Sequence, residues 1–295
     1  MNSIMLAFMG VVFFHNVYNS GETVTLGVFA DCQYCDCETT GTRYYRNSVK
    51  KLETCISQFN NNKEIDFIVN LGDLIDRDFD SFSYIKPVLD KAERAVINVP
   101  GNHDLEVDPG LRSKVPDQLG LNKMYNSKIL REWMFIFTDG NDISYNSDNP
   151  EKVKQAAKMT TKLKEDGKPN HYDWNGGIGE EQLDWFEEQL KFASKQKLKV
   201  VVFCHYPLLP YGAHSLWNQD EVVSLIEKYS CVKMWMNGHN HSGNYLYNKG
   251  IHYVTMQGMV ETENKNAYAE VVFTGNMIKI MGYGREESRN LELKF

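Results

Sequence analysis

Apolar and polar positions alternate in blocks along most of the chain. Val24–Ala30 (VTLGVFA) is a short β-branched run that predicts a buried strand, and Val49, Leu52, Ile56 and Phe59 then recur at helical spacing. Asp66–Leu71 (DFIVNL) predicts a second strand and Ala95–Val99 a third; between them Phe82, Ile85, Leu89 and Ala92 mark a helix with Pro87 as a local irregularity. This βαβαβ order implies a parallel sheet with right-handed crossovers. Further strands are expected at Met134–Thr138, Val200–Cys204 and Val232–Met236, and helices over Glu180–Ala193 and Glu221–Tyr229. In Ile251–Gly282 the runs IHYVTMQ, AYAEVVF and MIKIMGY are separated by turn residues such as Thr274-Gly275-Asn276, which reads as an antiparallel tail and a mixed second sheet. From Leu105 to Gly177 the chain is polar with one clear strand, and reads as a long inserted loop.

Metal-ligand residue types follow five of these strands. They are Asp31-Cys-Gln33, Gly72-Asp73-Leu-Ile-Asp76, Gly101-Asn102-His103-Asp104, His205 and Gly238-His239-Asn-His241. Singly, each is ordinary turn or cap chemistry. Jointly they predict one metal site, because strand carboxyl ends in an α/β sheet share an edge.

Charge narrows the ligand. The 295 residues hold 39 Asp and Glu against 32 Lys and Arg, a net charge of −7. That argues against a broad nucleic-acid surface, so an anionic substrate needs local positive charge, which bound metal would supply. The balance fits one large domain over residues 22–295 with the insertion at about 105–177. Residues 1–21 precede it, and their apolar run Ile4–Phe14 has the length of a signal-peptide core and falls short of the ~20 residues of a spanning helix. Export is the expected reading; a missing basic start and a poor cleavage match near Asn19-Ser20-Gly21 count against it, leaving a cytoplasmic chain as the alternative. No stable membrane insertion and a monomer are expected. The six cysteines are read as free thiols, since Cys32, Cys35 and Cys37 are too close to close a useful loop, and Cys32-x-x-Cys35 lacks a second half to make a zinc site.

The five blocks match, in order and residue type, D-x-H, G-D-x-x-D, G-N-H-[DE], H and G-H-x-H, and from about Val24 onward the chain resembles the calcineurin-like metallophosphoesterases. The segments GVFADCQY, GTRYYRNS, WNGGIGEEQLDW and QGMVET further resemble the manganese-dependent ADP-ribose/CDP-alcohol diphosphatase family, in which Gln replaces His in the first block, as Gln33 does here. The resemblance implies an α/β fold with α+β character, a four-layer αββα sandwich of two mixed sheets flanked by helices. It implies two divalent ions, one on Asp31, Gln33, Asp73 and His241, the other on Asp73, Asn102, His205 and His239. Oxygen-rich donors favour Mn²⁺, with Mg²⁺, Fe or Zn²⁺ as alternatives. His103 takes the position that meets phosphate and assists the leaving group, with Asp104 expected to hold its tautomer and Asp76 to orient a His or a water. The implied activity is cleavage of the pyrophosphate bond of a nucleoside-diphosphate-linked small molecule, ADP-ribose or a CDP-alcohol, by metal-bound hydroxide. Another phosphodiesterase or phosphomonoesterase of the superfamily, or a scaffold without catalysis, are the alternatives. For substrate contacts, Tyr34 and Tyr206 are expected at the cleft wall to stack on base or ribose, Arg43 and Arg46 to pair with a second phosphate, and the Asn175-Gly176-Gly177 turn to approach a ligand by its backbone.

Overall fold

The computed structural model describes residues 23–294. In chain order its elements are β1 (Val24–Phe29), α1 (Ser48–Asn61), β2 (Phe67–Asn70), α2 (Phe82–Leu89), β3 (Val96–Asn98), α3 (Asn102–Leu105), α4 (Val115–Gln118), β4 (Asn126–Leu130), β5 (Trp133–Phe137), α5 (Pro150–Glu165), α6 (Glu180–Lys195), β6 (Lys199–Phe203), α7 (Gln219–Ile226), β7 (Val232–Asn237), β8 (Ser242–Asn248), β9 (Ile251–Gln257), β10 (Ala267–Phe273), β11 (Met277–Gly284) and β12 (Arg289–Glu292). Two six-stranded mixed sheets result, ordered β12-β11-β10-β1-β2-β3 and β4-β5-β6-β7-β9-β8. The apolar run Ile4–Phe14 lies outside the described residues. Among the described residues no helix is long and apolar enough to cross a membrane.

Period-two alternation decides the layering. Leu26, Val28, Phe67 and Val69 of the first sheet meet Phe135, Phe137, Val201, Phe203, Met234 and Met236 of the second in one buried core. The opposite face of the first sheet, through Phe29 and Ile68, packs on Leu52, Ile56 and Phe59 of α1 and Phe82 and Ile85 of α2. That of the second, through Met134, Val200, Val202 and Trp235, packs on Phe186 and Leu190 of α6 and Val222 and Ile226 of α7. The product is the four-layer sandwich.

Three expectations change. The stretch 105–177 is not a structureless loop, since it carries the antiparallel pair β4–β5 and the long helix α5. The tail is not one antiparallel unit: β9 pairs parallel with β7 in the second sheet, while β10 to β12 join β1 in the first. Alternation shows which face of a strand is buried but not which sheet claims it. Finally β8, whose sequence SGNYLYN is polar and partly exposed, forms an edge strand that the apolar pattern does not show.

Candidate metal centre

The ligand-type residues emerge where the carboxyl ends of both sheets meet. Asp31, Asp73 and Asn102 follow β1, β2 and β3 of the first sheet; His205, His239 and His241 follow β6 and β7 of the second. Four of these positions, Asp31 (φ 52), Gln33 (φ 46), Asp73 (φ 55) and His239 (φ 67), hold left-handed backbone without being glycine. Such strained residues gather where the surrounding fold needs a side chain aimed against local preference. Two glycines make room. A Cβ on Gly101 would lie 2.0 Å from Asp73 Oδ1, and one on Gly72 (φ +104) would lie 2.5 Å from His205 Nδ1.

The donor atoms form two half-rings sharing Asp73. In the first, His241 Nε2 lies 3.5 Å from Asp31 Oδ1, while Gln33 Nε2 donates to Asp73 Oδ2 at 3.1 Å and lies 3.3 Å from His241 Nε2; an amide nitrogen has no lone pair for a metal, so Gln33 would ligate through Oε1 with its amide turned over. In the second, His205 Nε2 lies 3.3 Å from that same Asp73 Oδ2, 3.2 Å from Asn102 Oδ1 and 3.1 Å from His239 Nδ1. Donors sharing one cation with ~2.1 Å bonds are separated by roughly 3.0 Å at right angles and about 3.4 Å in a tetrahedron. The spacings of the second half-ring therefore fit metal coordination, and the ligating atoms of Asp73, His205 and His239 all lie within 4.8 Å of one another. Gln33 Oε1 is buried with no hydrogen-bond partner, which leaves a hard oxygen donor over in the oxygen-richer half.

Outer contacts fix the imidazoles. His205 Nδ1 donates to Leu71 O at 2.8 Å, His239 Nε2 to Asn175 Oδ1 at 3.0 Å and His241 Nδ1 to Glu261 Oε1 at 2.7 Å, so each ring turns its other nitrogen inward. Asn102 Nδ2 donates to Glu106 Oε1 at 3.0 Å, aiming Oδ1 into the ring. Burial disfavours charge on His205 and His241, but Asp73 acting on the first and Asp31 on the second outweigh it and bring both to about 9. Burial and the neighbouring His205 hold His239 well below its ordinary value. Burial works against ionisation of Asp73 too, but His205 and His103 hold it well below the carboxylate range. These carboxylates draw positive charge onto whatever stands beside them.

His103, buried at 6 % exposure, places Nδ1 2.6 Å from Asp76 Oδ1. Arg77 Nε donates to that nitrogen at 3.1 Å and also lies 2.6 Å from Glu106 Oε2, while Asp76 Oδ1 itself makes no hydrogen bond. The group that sets the tautomer is thus Arg77, with Nδ1 accepting, and the carboxylate beside the ring is Asp76 and not Asp104. Asp104 Oδ1 and Oδ2 instead accept from the backbone N–H groups of Leu74, Ile75, Asp73 and Gly101. Burial and the adjacent Asp73 push Asp104 up to about 7.

The expected substrate contacts separate. Tyr206 is fully buried, its hydroxyl donating to Asn141 at 2.6 Å and its ring centred 4.6 Å from that of His239. It buttresses a ligand from behind and offers no free face. Tyr34 joins the core beneath α1 and α2 and is 7 % exposed. Arg46 is tied on the surface to Asp36 and Glu38. Arg43 alone of the four is both near the ring, at 3.8 Å from Glu261, and open to solvent, with 36% of its side chain exposed. The Asn175-Gly176-Gly177 turn is packed against Gly140 and Trp217, and Asn175 contributes its side chain to His239. Sequence reasoning did not single out Glu106, Glu261 or His214, whose ring lies 5.4 Å from that of His239. Trp174, in the quoted WNGG segment, stands between His239 and the exposed Tyr172. Cys35 and Cys37 are joined to each other, with Cα atoms 5.3 Å apart. The free-thiol expectation fails for this pair because a disulfide requires close Cα approach, not a long loop. Cys32, Cys55, Cys204 and Cys231 are free.

The profile of the calcineurin-like phosphoesterases matches residues 24–243. The manganese-dependent ADP-ribose/CDP-alcohol diphosphatase of Arabidopsis thaliana is 30% identical over 304 residues, covering 91% of this chain and 96% of that protein. The human protein of the same name is 26% identical, covering 94% of each. A dimetal phosphatase from Danio rerio, solved by crystallography, superposes with a TM-score of 0.82 at 23% identity over 92% of this chain and 99% of that one.

Proposed function

The chain belongs to the calcineurin-like phosphoesterase family and is a metal-dependent hydrolase, and from that premise we infer that it cleaves the pyrophosphate bond of ADP-ribose or CDP-alcohols with Mn²⁺. The single observation that carries the reading is Asp73 Oδ2, which reaches Gln33 in one half-ring and His205 in the other. Asp31, Gln33, Asp73 and His241 would hold one ion and Asp73, Asn102, His205 and His239 the second. A pair of divalent ions supplies an activated water and a clamp on phosphoryl oxygens. The chain does the rest. His103 accepts at Nδ1 from Arg77 Nε, which leaves the proton of its ring on Nε2, available to the oxygen of the departing phosphate. Arg43 is 36% exposed and shares Glu261 with the ring, which suits it to the second phosphate. Asp104 holds the turn carrying Asp73, a positioning role. With −7 net charge the chain is read as acting on a small molecule and not on nucleic acid, as a monomer.

The test is hydrolysis of ADP-ribose, CDP-choline, CDP-glycerol, cyclic nucleotides and simple phosphomonoesters, each with Mn²⁺ and with Mg²⁺. The expected products are two phosphomonoesters from each diphosphate, faster with Mn²⁺. Turnover of monoesters alone would overturn the diphosphatase reading.

A further inference from the structure

The segment crossing from β9 to β10 carries more of the site than its sequence suggests. Gly258 N donates to His241 O at 3.1 Å, Met259 N to Ala30 O at 2.9 Å and Val260 N to Asp31 O at 2.9 Å, while Glu261 accepts from the His241 ring. Every one of these contacts serves the Asp31–Gln33–His241 half-ring. The other half is anchored elsewhere, through Leu71, Asn175 and Glu106.

One buried side chain gathers this segment. Lys51, on α1 and 6 % exposed, directs Nζ at four successive carbonyls, Met259 O at 2.9 Å, Val260 O at 3.4 Å, Glu261 O at 2.9 Å and Thr262 O at 2.5 Å. Four carbonyl oxygens turned toward one point repel one another unless a cation or donor sits between them. Without the ammonium the turn has no reason to hold that curvature, and Thr262 sits at a left-handed φ of 63°.

We infer that Lys51 is the positioning residue of the Asp31–Gln33–His241 half-ring, setting Glu261 against His241 and bracing the backbone of Asp31 while leaving the Asn102–His205–His239 half untouched. The inference rests on the two-ion reading above, so its test separates the two. Mn²⁺ binding to the full chain is measured by calorimetry and by electron paramagnetic resonance for wild type, Lys51→Met, Lys51→Arg and Glu261→Gln. Wild type is expected to take two ions. Lys51→Met should keep one ion at wild-type affinity and bind the other about 10–100-fold more weakly, as Glu261→Gln should, with little added by combining them. Lys51→Arg keeps the charge, but its planar fork cannot seat among four carbonyls, so it too should lose one ion; it covers the case in which Lys51→Met does not fold. In metal-free protein, the low-field proton of the His241–Glu261 hydrogen bond, followed by NMR, should be present in wild type and lost in both Lys51 variants. Two ions at wild-type affinity in a Lys51 variant, equal weakening of both alongside a lower melting temperature, or retention of that proton would overturn the inference. A wild type that binds no Mn²⁺ would overturn the two-ion reading, while the proton signal would still decide what Lys51 does.

Discussion

The two half-rings are built to different specifications. Around His205 and His239 the outer contacts are a main-chain carbonyl, Leu71 O, and the amide of a packed turn, Asn175, and both rings are backed by the buried ring of Tyr206. Around His241 the outer contact is the carboxylate of Glu261, partly exposed, shared with Arg43 and held by a turn between sheets. One half is fixed by scaffold that other interactions already determine, the other by a relay of charged side chains. Removing a single side chain should therefore disturb them unequally, and only Asp73 belongs to both.

The largest effect is expected from Asp73→Asn. Loss of the shared carboxylate should weaken both ions and lower kcat/KM by more than about 1,000-fold, since metal stabilisation of several kcal/mol is at stake and each 1.36 kcal/mol is tenfold; calorimetry showing two tight Mn²⁺ sites would refute the sharing. Next comes His103→Ala, expected to lower kcat about 100- to 10,000-fold with Mn²⁺ stoichiometry unchanged, because no donor of either half is removed. Glu261→Gln and Asn175→Ala then separate the halves: each should cost one ion about 10–100-fold in affinity, but a different one, and the two should add. Competition experiments that assign both losses to the same ion would collapse the distinction. The smallest effect lies in the scaffold behind Tyr206, whose hydroxyl donates to Asn141, whose N–H in turn donates to Asp139. Burial and then Asp142 push Asp139 up to about 7. A folded-state value above the unfolded one means stability that is full below about pH 3.9 and falls as pH rises through about 7. Asp139→Asn should accordingly raise the melting temperature at pH 8 and change it little at pH 4, read by calorimetric scans.

Much of this centre was readable because its donors sit at the ends of strands whose apolar runs are easy to find. Asp31, Asp73, Asn102, His205 and His239 fall within two to four residues of the end of a strand, and all end up in one centre. What supports them was not readable. Glu106 looks like any helix-side acid, Glu261 like any turn residue and Lys51 like a solvated helix position; only tertiary approach shows that each grips a ligand or its loop. Aromatic neighbours misled in the opposite direction, since Tyr206 follows a ligand in sequence yet turns inward. His205 and Tyr206 lie in the bend beyond the end of β6, where Tyr206 turns into the core between the second sheet and α6 and α7. The β4 and β8 edge strands escaped for a related reason: half-exposed strands need no apolar run.

The pairing of β1 with β10 sets Val24 opposite Phe273, and this governs the order in which the molecule can come into being. During synthesis the first strand leaves the ribosome carrying Asp31 and Gln33 long before its antiparallel neighbour exists. Such a distant closure is slow and leaves an apolar edge waiting. The turn that carries Glu261 is made after every residue that supplies a donor. A nascent chain thus has nowhere to seat a complete pair of ions until Glu261 has emerged, and the half that forms last is the one whose histidine depends on that turn.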